Sequence, residues 1–160
     1  MDGFTLIEVL VTMSIAAILA TIAVPAFQEV GLSSKLNTMA NNFVASVHLA
    51  RSEAIKRNLV VTVCASSNGT SCTGAWKDGW VVLAGGSVIY TQAALPNGFL
   101  LSEAGGATSI AFQSTGVGAT AANLTLCRAT PTVGTLQRTI RVSATGRPAV
   151  GKVSGASTCA

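Results

Sequence analysis

Phe4-Thr5-Leu6-Ile7-Glu8-Val9-Leu10-Val11-Thr12-Met13 leads into a run, Val9 to Gln28, of twenty residues without a charge, bounded by Glu8 and Glu29. A helix of that length is about 30 Å long, enough to cross the hydrocarbon core of a bilayer. The order of features is the reverse of an ordinary signal peptide, whose small-residue cleavage site follows the apolar stretch. Here the small residue, Gly3, comes first. Cleavage after it would keep the apolar helix in the mature chain. Glu8 stands at the edge of that helix, where a carboxylate is expensive and needs a partner. The α-amino group that cleavage would create at Phe4, its own or a neighbour's, is one such partner. Pro25 removes a backbone donor and is expected to bend or locally melt the helix.

Past Glu29 the pattern becomes amphipathic. Leu36, Ala40, Phe43, Val47, Ala50 and Ala54 recur at helical spacing, widened by Met39, Val44 and Ile55. Such a stripe is one face of a helix laid on a core. Lys35, Asn37, Asn41, Asn42, Ser46, Ser52, Glu53 and Lys56 occupy the other face. Together the two halves predict one helix over about residues 5–57. From Leu59 the residues are β-branched: Leu59–Cys64, Trp80–Leu83, Ser87–Tyr90, Ser109–Phe112, Leu124–Cys127 and Arg138–Val142 read as strands between glycine-rich turns. A long helix followed by strands predicts an α+β fold, with an antiparallel sheet wrapped on the helix. Trp76 and Trp80 read as packing residues between the two.

Only 10% of the 160 residues are charged and 49% are hydrophobic, so part of the chain is expected to meet lipid or other subunits. Beyond residue 30 stand all ten Lys and Arg but only three acids, Glu53, Asp78 and Glu103, a net +7. After Glu103 there is no acid, against Arg128, Arg138, Arg141, Arg147 and Lys152. A surface of one sign suits an anionic partner or a subunit interface.

Cys64, Cys72, Cys127 and Cys159 form an even set outside the apolar run, which points to two disulfides. Three connectivities are open. Cys64–Cys72 and Cys127–Cys159 is favoured, because Ser66-Ser67-Asn68-Gly69-Thr70 is a turn-forming stretch and the second bond would tie down a Gly/Ser-rich tail. Neither pair has CxxC spacing, and His48, the sole histidine, is distant, so no metal site is expected.

Gly3-Phe4-Thr5-Leu6-Ile7-Glu8, in register with the long apolar helix, resembles the class III signal of type IV pilins and type II secretion pseudopilins. The resemblance implies cleavage between Gly3 and Phe4 by prepilin peptidase and N-methylation of Phe4. It implies that Glu8 serves methylation or docking into a growing filament. It gives Pro25 a place in assembly, where pilins commonly carry a kinking proline. The leader departs from the pattern, since Met1-Asp2-Gly3 has no Lys or Arg. Val61-Thr62-Val63-Cys64, Cys72 and Trp76-Lys77-Asp78-Gly79-Trp80 are similar to the GspH/FimT/FimU group of minor pilins and pseudopilins. So are Ala50-Arg51-Ser52-Glu53-Ala54 and Thr145-Gly146-Arg147-Pro148. The resemblance implies a leader at 1–3, a transmembrane and filament-core helix at 4–30 and a pilin head at 31–160. It also implies a single pass through a bacterial inner membrane with the head in the periplasm, then a place in a pilus or pseudopilus with other pilins, out to the cell surface.

Three roles are compatible with this reading: a structural minor pilin that primes or caps a pilus, a receptor for double-stranded DNA in natural transformation, and a type II secretion pseudopilin. The DNA reading rests on Arg138, Arg141, Arg147 and Lys152, whose cationic groups suit phosphate oxygens without base reading. FimT-like DNA binders carry a Gly-Arg-x-Arg-like stretch here, and Ala149 stands where the second Arg would be. No enzyme is expected, and no cofactor. One histidine makes no Ser/His/Asp set, no Walker-type motif occurs, and Glu53, Asp78 and Glu103 are scattered.

Overall fold

The computed structural model describes residues 4–117 and 120–159. The leader at 1–3, Gly3 included, lies outside the described residues. Helix α1 runs from Leu6 to Arg57, within one residue of the expectation at each described end, and is unbroken at Pro25. Its end has a physical cause. Asn58 takes a left-handed φ of 52°, its N–H donates to the Ile55 carbonyl, and the Leu59 N–H reaches back to the Ala54 carbonyl. These two bonds are a Schellman closure, with asparagine in the position glycine usually holds.

Eight strands follow: β1 Val61–Ala65, β2 Trp80–Ala84, β3 Ser87–Gln92, β4 Phe99–Glu103, β5 Ser109–Phe112, β6 Ala122–Arg128, β7 Leu136–Val142 and β8 Pro148–Ser154. The α+β class stands, but the strands form two four-stranded antiparallel sheets where one was expected. Their orders are β3-β2-β1-β5 and β4-β6-β7-β8. Two strands were not foreseen. In β8, Pro148 and Gly151 break the β-branched pattern, and β4 follows the Pro96-Asn97-Gly98 turn. By Cα packing the chain divides into one unit ending at Lys35 and a second beginning at Leu36.

In the second unit the expected stripe is the core. Leu36, Ala40, Phe43, Val47, Ala50 and Ala54 are fully buried, whereas Ile55 is exposed and does not widen it. Phe43 meets Trp76 and Trp80 edge-on, with ring centroids 5.4 and 5.2 Å away. Register puts Val63, Val82 and Ile110 side by side on one sheet face, and Leu124 and Ile140 side by side on the other sheet. All five are buried. The Trp80 indole N–H donates to Ser46 Oγ at 2.8 Å, and Ser46 passes its own proton to the Asn42 carbonyl at 2.9 Å. A buried indole N–H and a buried hydroxyl are thus both satisfied, as a packed core requires. Gly79, at φ 112°, lets the chain pass the Gln92 carbonyl, which a Cβ there would approach to 2.4 Å.

Glu103, at the end of β4, organises the turn that follows. Its carboxylate accepts from the N–H groups of Gly105 at 2.7 Å, Ala107 at 2.9 Å and Asn123 at 3.1 Å. Partial burial pushes this carboxyl up, but the backbone donors of Asn123, Ala107, Gly105 and Gly106 together pull it further down. The net result is a value below the ordinary carboxylate range. The same turn presents the Ala107 carbonyl to the Trp76 indole at 2.7 Å, joining the loop to the core.

Candidate functional site

Three regions carry the residues singled out by the sequence. The first is the start of α1. Thr5 and Glu8 form a reciprocal cap: the Thr5 N–H and hydroxyl donate to Glu8 Oε2 at 2.9 and 2.8 Å, and the Glu8 N–H donates to Thr5 Oγ1 at 3.4 Å. Thr-x-x-Glu is the spacing that lets each side chain reach the other's backbone donor. The cap holds Glu8 at the mouth of the helix beside Phe4, which is exposed. Every residue from 4 to 31, Pro25 among them, is exposed within the subunit.

The second region is the basic C-terminal sheet, which does not gather all four predicted cations. Arg138 is 3% exposed. Its guanidinium donates to Asn37 Oδ1 at 2.7 Å, on α1, and to the Gln137 carbonyl at 3.0 Å. A side chain held this way is not available to a phosphate, so Arg138 leaves the set. Lys152 lies in β8, opposite Arg138. Directly paired residues share a sheet face, so Lys152 lies on the face of Arg138 and Ile140, away from that of Arg141. Arg141 and Arg147 do come together. Both are exposed and line a shallow groove of about 370 Å³ with Ala121, Asn123, Val142, Ser143 and Ala149. The turn bearing Arg147 is fixed by Ser143, whose N–H donates to the Arg147 carbonyl and whose hydroxyl accepts the Arg147 N–H, each at 3.1 Å. Asn123 was missed because it enters through β6, directly across from Arg141.

The third region is covalent. Cys64 is bonded to Cys72, and Cys127 to Cys159. The Gln137 amide donates to the Thr158 carbonyl, so the tail lies along the face of β7 that carries Gln137. Among the described residues, both ion pairs are made by Glu53, with Lys56 and Arg57, and no three His, Cys, Asp or Glu side chains gather as metal ligands would.

A helix of 52 residues with an exposed apolar start, joined to a disulfide-bonded two-sheet head, can be compared with known families. The model described as type II transport protein GspH matches residues 39–146, and the one described as the prokaryotic N-terminal methylation motif matches residues 2–24. The chain belongs to the GspH family. No curated protein matches it. Two crystal structures of FimU, a type IV minor pilin of Pseudomonas aeruginosa, in space groups P21 and P65, share its fold at 20% identity. Their TM-scores are 0.59 and 0.58, over 74% and 72% of this chain and 90% and 92% of theirs. The GspH-family chain thus joins an N-terminal methylation motif to a head with the fold of the FimU minor pilin. That motif opens a helix long and apolar enough to cross a membrane.

Proposed function

We propose that this GspH-family chain is a minor pilin cut between Gly3 and Phe4 by prepilin peptidase and N-methylated at Phe4. Residues 4–30 then anchor it in the inner membrane with the head, residues 31–160, in the periplasm, and later pack in the core of the filament. The observation that supports this is the exposed apolar surface of α1 from Leu6 to Val30. Exposed apolar area on this scale needs lipid or protein around it. Co-expression with prepilin peptidase should yield a chain that begins at Phe4 with a methyl group on its amine, read by mass spectrometry. A chain that enters filaments with Met1–Gly3 still attached overturns the reading.

A second reading, capture of double-stranded DNA for natural transformation, is favoured by the pairing of Arg141 and Arg147 across one groove. Phosphate contacts release counterions, so affinity falls with salt by about 0.9 in log–log slope per phosphate neutralised. Full-length protein in a nonionic detergent should bind duplex DNA with a steep salt slope. Changing Arg141 and Arg147 together to Gln should lower the slope by about 2, whereas Arg138→Gln should leave it unchanged. An unchanged slope in the double variant rules out the groove. Absence of binding at low salt leaves a structural tip or priming subunit, or a type II secretion pseudopilin, and assigns the basic surface to assembly.

A further inference from the structure

The edges of the two sheets differ in how well they are closed. β3 carries an irregularity in register opposite Val82 and Leu83, which twists and protects an edge. β4 and β5 are short, at five and four residues. β8 is different: seven residues, each in register with β7, without a bulge.

The hydrogen-bonding direction of β8 follows from its turn. The Ser143 N–H donates to the Arg147 carbonyl, and in an antiparallel pair hydrogen-bonded and non-bonded rungs alternate. The ladder bonds therefore fall on Arg141–Ala149, Thr139–Gly151 and Gln137–Val153. The N–H and C=O groups of Val150, Lys152 and Ser154 point away from β7. Pro148 sits on the same outward parity, where its missing N–H costs the ladder nothing. Among the described residues, no backbone bond outside the ladder involves residues 148–154. Val150 and Val153, 43% and 38% exposed, stand on opposite faces of this edge.

We propose that the open edge of β8 is a docking site at which an extended, acid-rich segment of another protein chain adds as a fifth strand to the sheet β4-β6-β7-β8. Main-chain bonds from Val150, Lys152 and Ser154 supply the pairing, and alternate side chains supply the choice of partner. Charge decides the chemistry of that partner. Arg147 and Lys152 are exposed at the start and in the middle of the edge, no acid follows Glu103, and neither cation is ion-paired among the described residues. A second copy of β8 would bring lysine against like charge, the device by which edge strands resist self-pairing.

The test uses the full chain in nonionic detergent and a labelled short peptide that alternates glutamate with valine and threonine. The peptide should bind, weaken as salt rises, and slow amide exchange at Val150, Lys152 and Ser154, leaving Ala149, Gly151 and Val153 as before. Val150→Pro removes one outward donor and no ladder bond. It should lower affinity about tenfold without shifting the melting temperature. Equal binding by Val150→Pro overturns the proposal. So does equal binding of an acidic peptide with proline at alternate positions, which would reduce the effect to charge. Slower exchange at the same three amides as the chain alone is concentrated would assign the edge to a second copy instead.

Discussion

Replacing Trp80 with alanine is expected to lower the stability of the head by about 3–5 kcal/mol, the usual cost of emptying a large aromatic site in a packed core. Trp80 is 1% exposed, its ring lies edge-on to Phe43 at 5.2 Å, and its indole N–H ends on Ser46. Losing the indole removes contacts to helix and sheet together, where α1 is joined to the sheet β3-β2-β1-β5. The Ser46 hydroxyl is not stranded, because it still donates to the Asn42 carbonyl. The loss is therefore one of packing. Against a total stability of about 5–15 kcal/mol, it is a drop in melting temperature of roughly 10 °C or more. Trp76 remains as the fluorescent reporter. Trp80→Phe, which refills much of the volume, should recover most of the stability. Equal loss in both variants would mean that the indole hydrogen bond, not the packing, carries the effect.

The second large effect is expected at Glu8. Glu8→Gln should insert into membrane and keep its folded head, yet enter filaments at a tenth of the normal level or less. The geometry gives its carboxylate one duty, and the assembly proposed above would give it a second. It caps its own helix by accepting from the N–H and hydroxyl of Thr5, and a glutamine oxygen can do that as well. In the proposed filament it would also carry the charge that pairs with a neighbour's α-amino group in a medium of low dielectric. Glutamine abolishes only the second duty. Normal assembly of Glu8→Gln, measured as subunit per length of purified filament, would remove charge pairing from the account. Assembly that is lost only with Glu8→Leu would point to the cap.

The long helix was legible because its two halves obey different rules, and each rule shows in the residues. Val9–Gln28 has no charge, and Leu36 to Ala54 keeps one spacing. Both follow from the surroundings the helix must satisfy. The basic site was less legible. That Arg138 and Arg141, three apart on one strand, point to opposite faces was legible, but which of them turns inward was not: Asn37, 101 residues away, takes Arg138. A partner that distant leaves no local trace. β8 was hidden for another reason. Proline at its first position and glycine at its centre are tolerated where an edge strand has few ladder bonds to lose, so the residues that make it an edge also disguise it as a loop.

The bond between Cys127 and Cys159 closes a covalent ring that contains both β7 and β8. A sheet edge pulled sideways ordinarily peels, one rung after another, because each strand is held only by its neighbour. Here tension applied at β8 cannot run out through the end of the chain. It passes along the ring to β6, an interior strand bonded on both sides. A β8 that peels from β7 therefore stays tethered at both ends and is returned to its place rather than drawn out of the head.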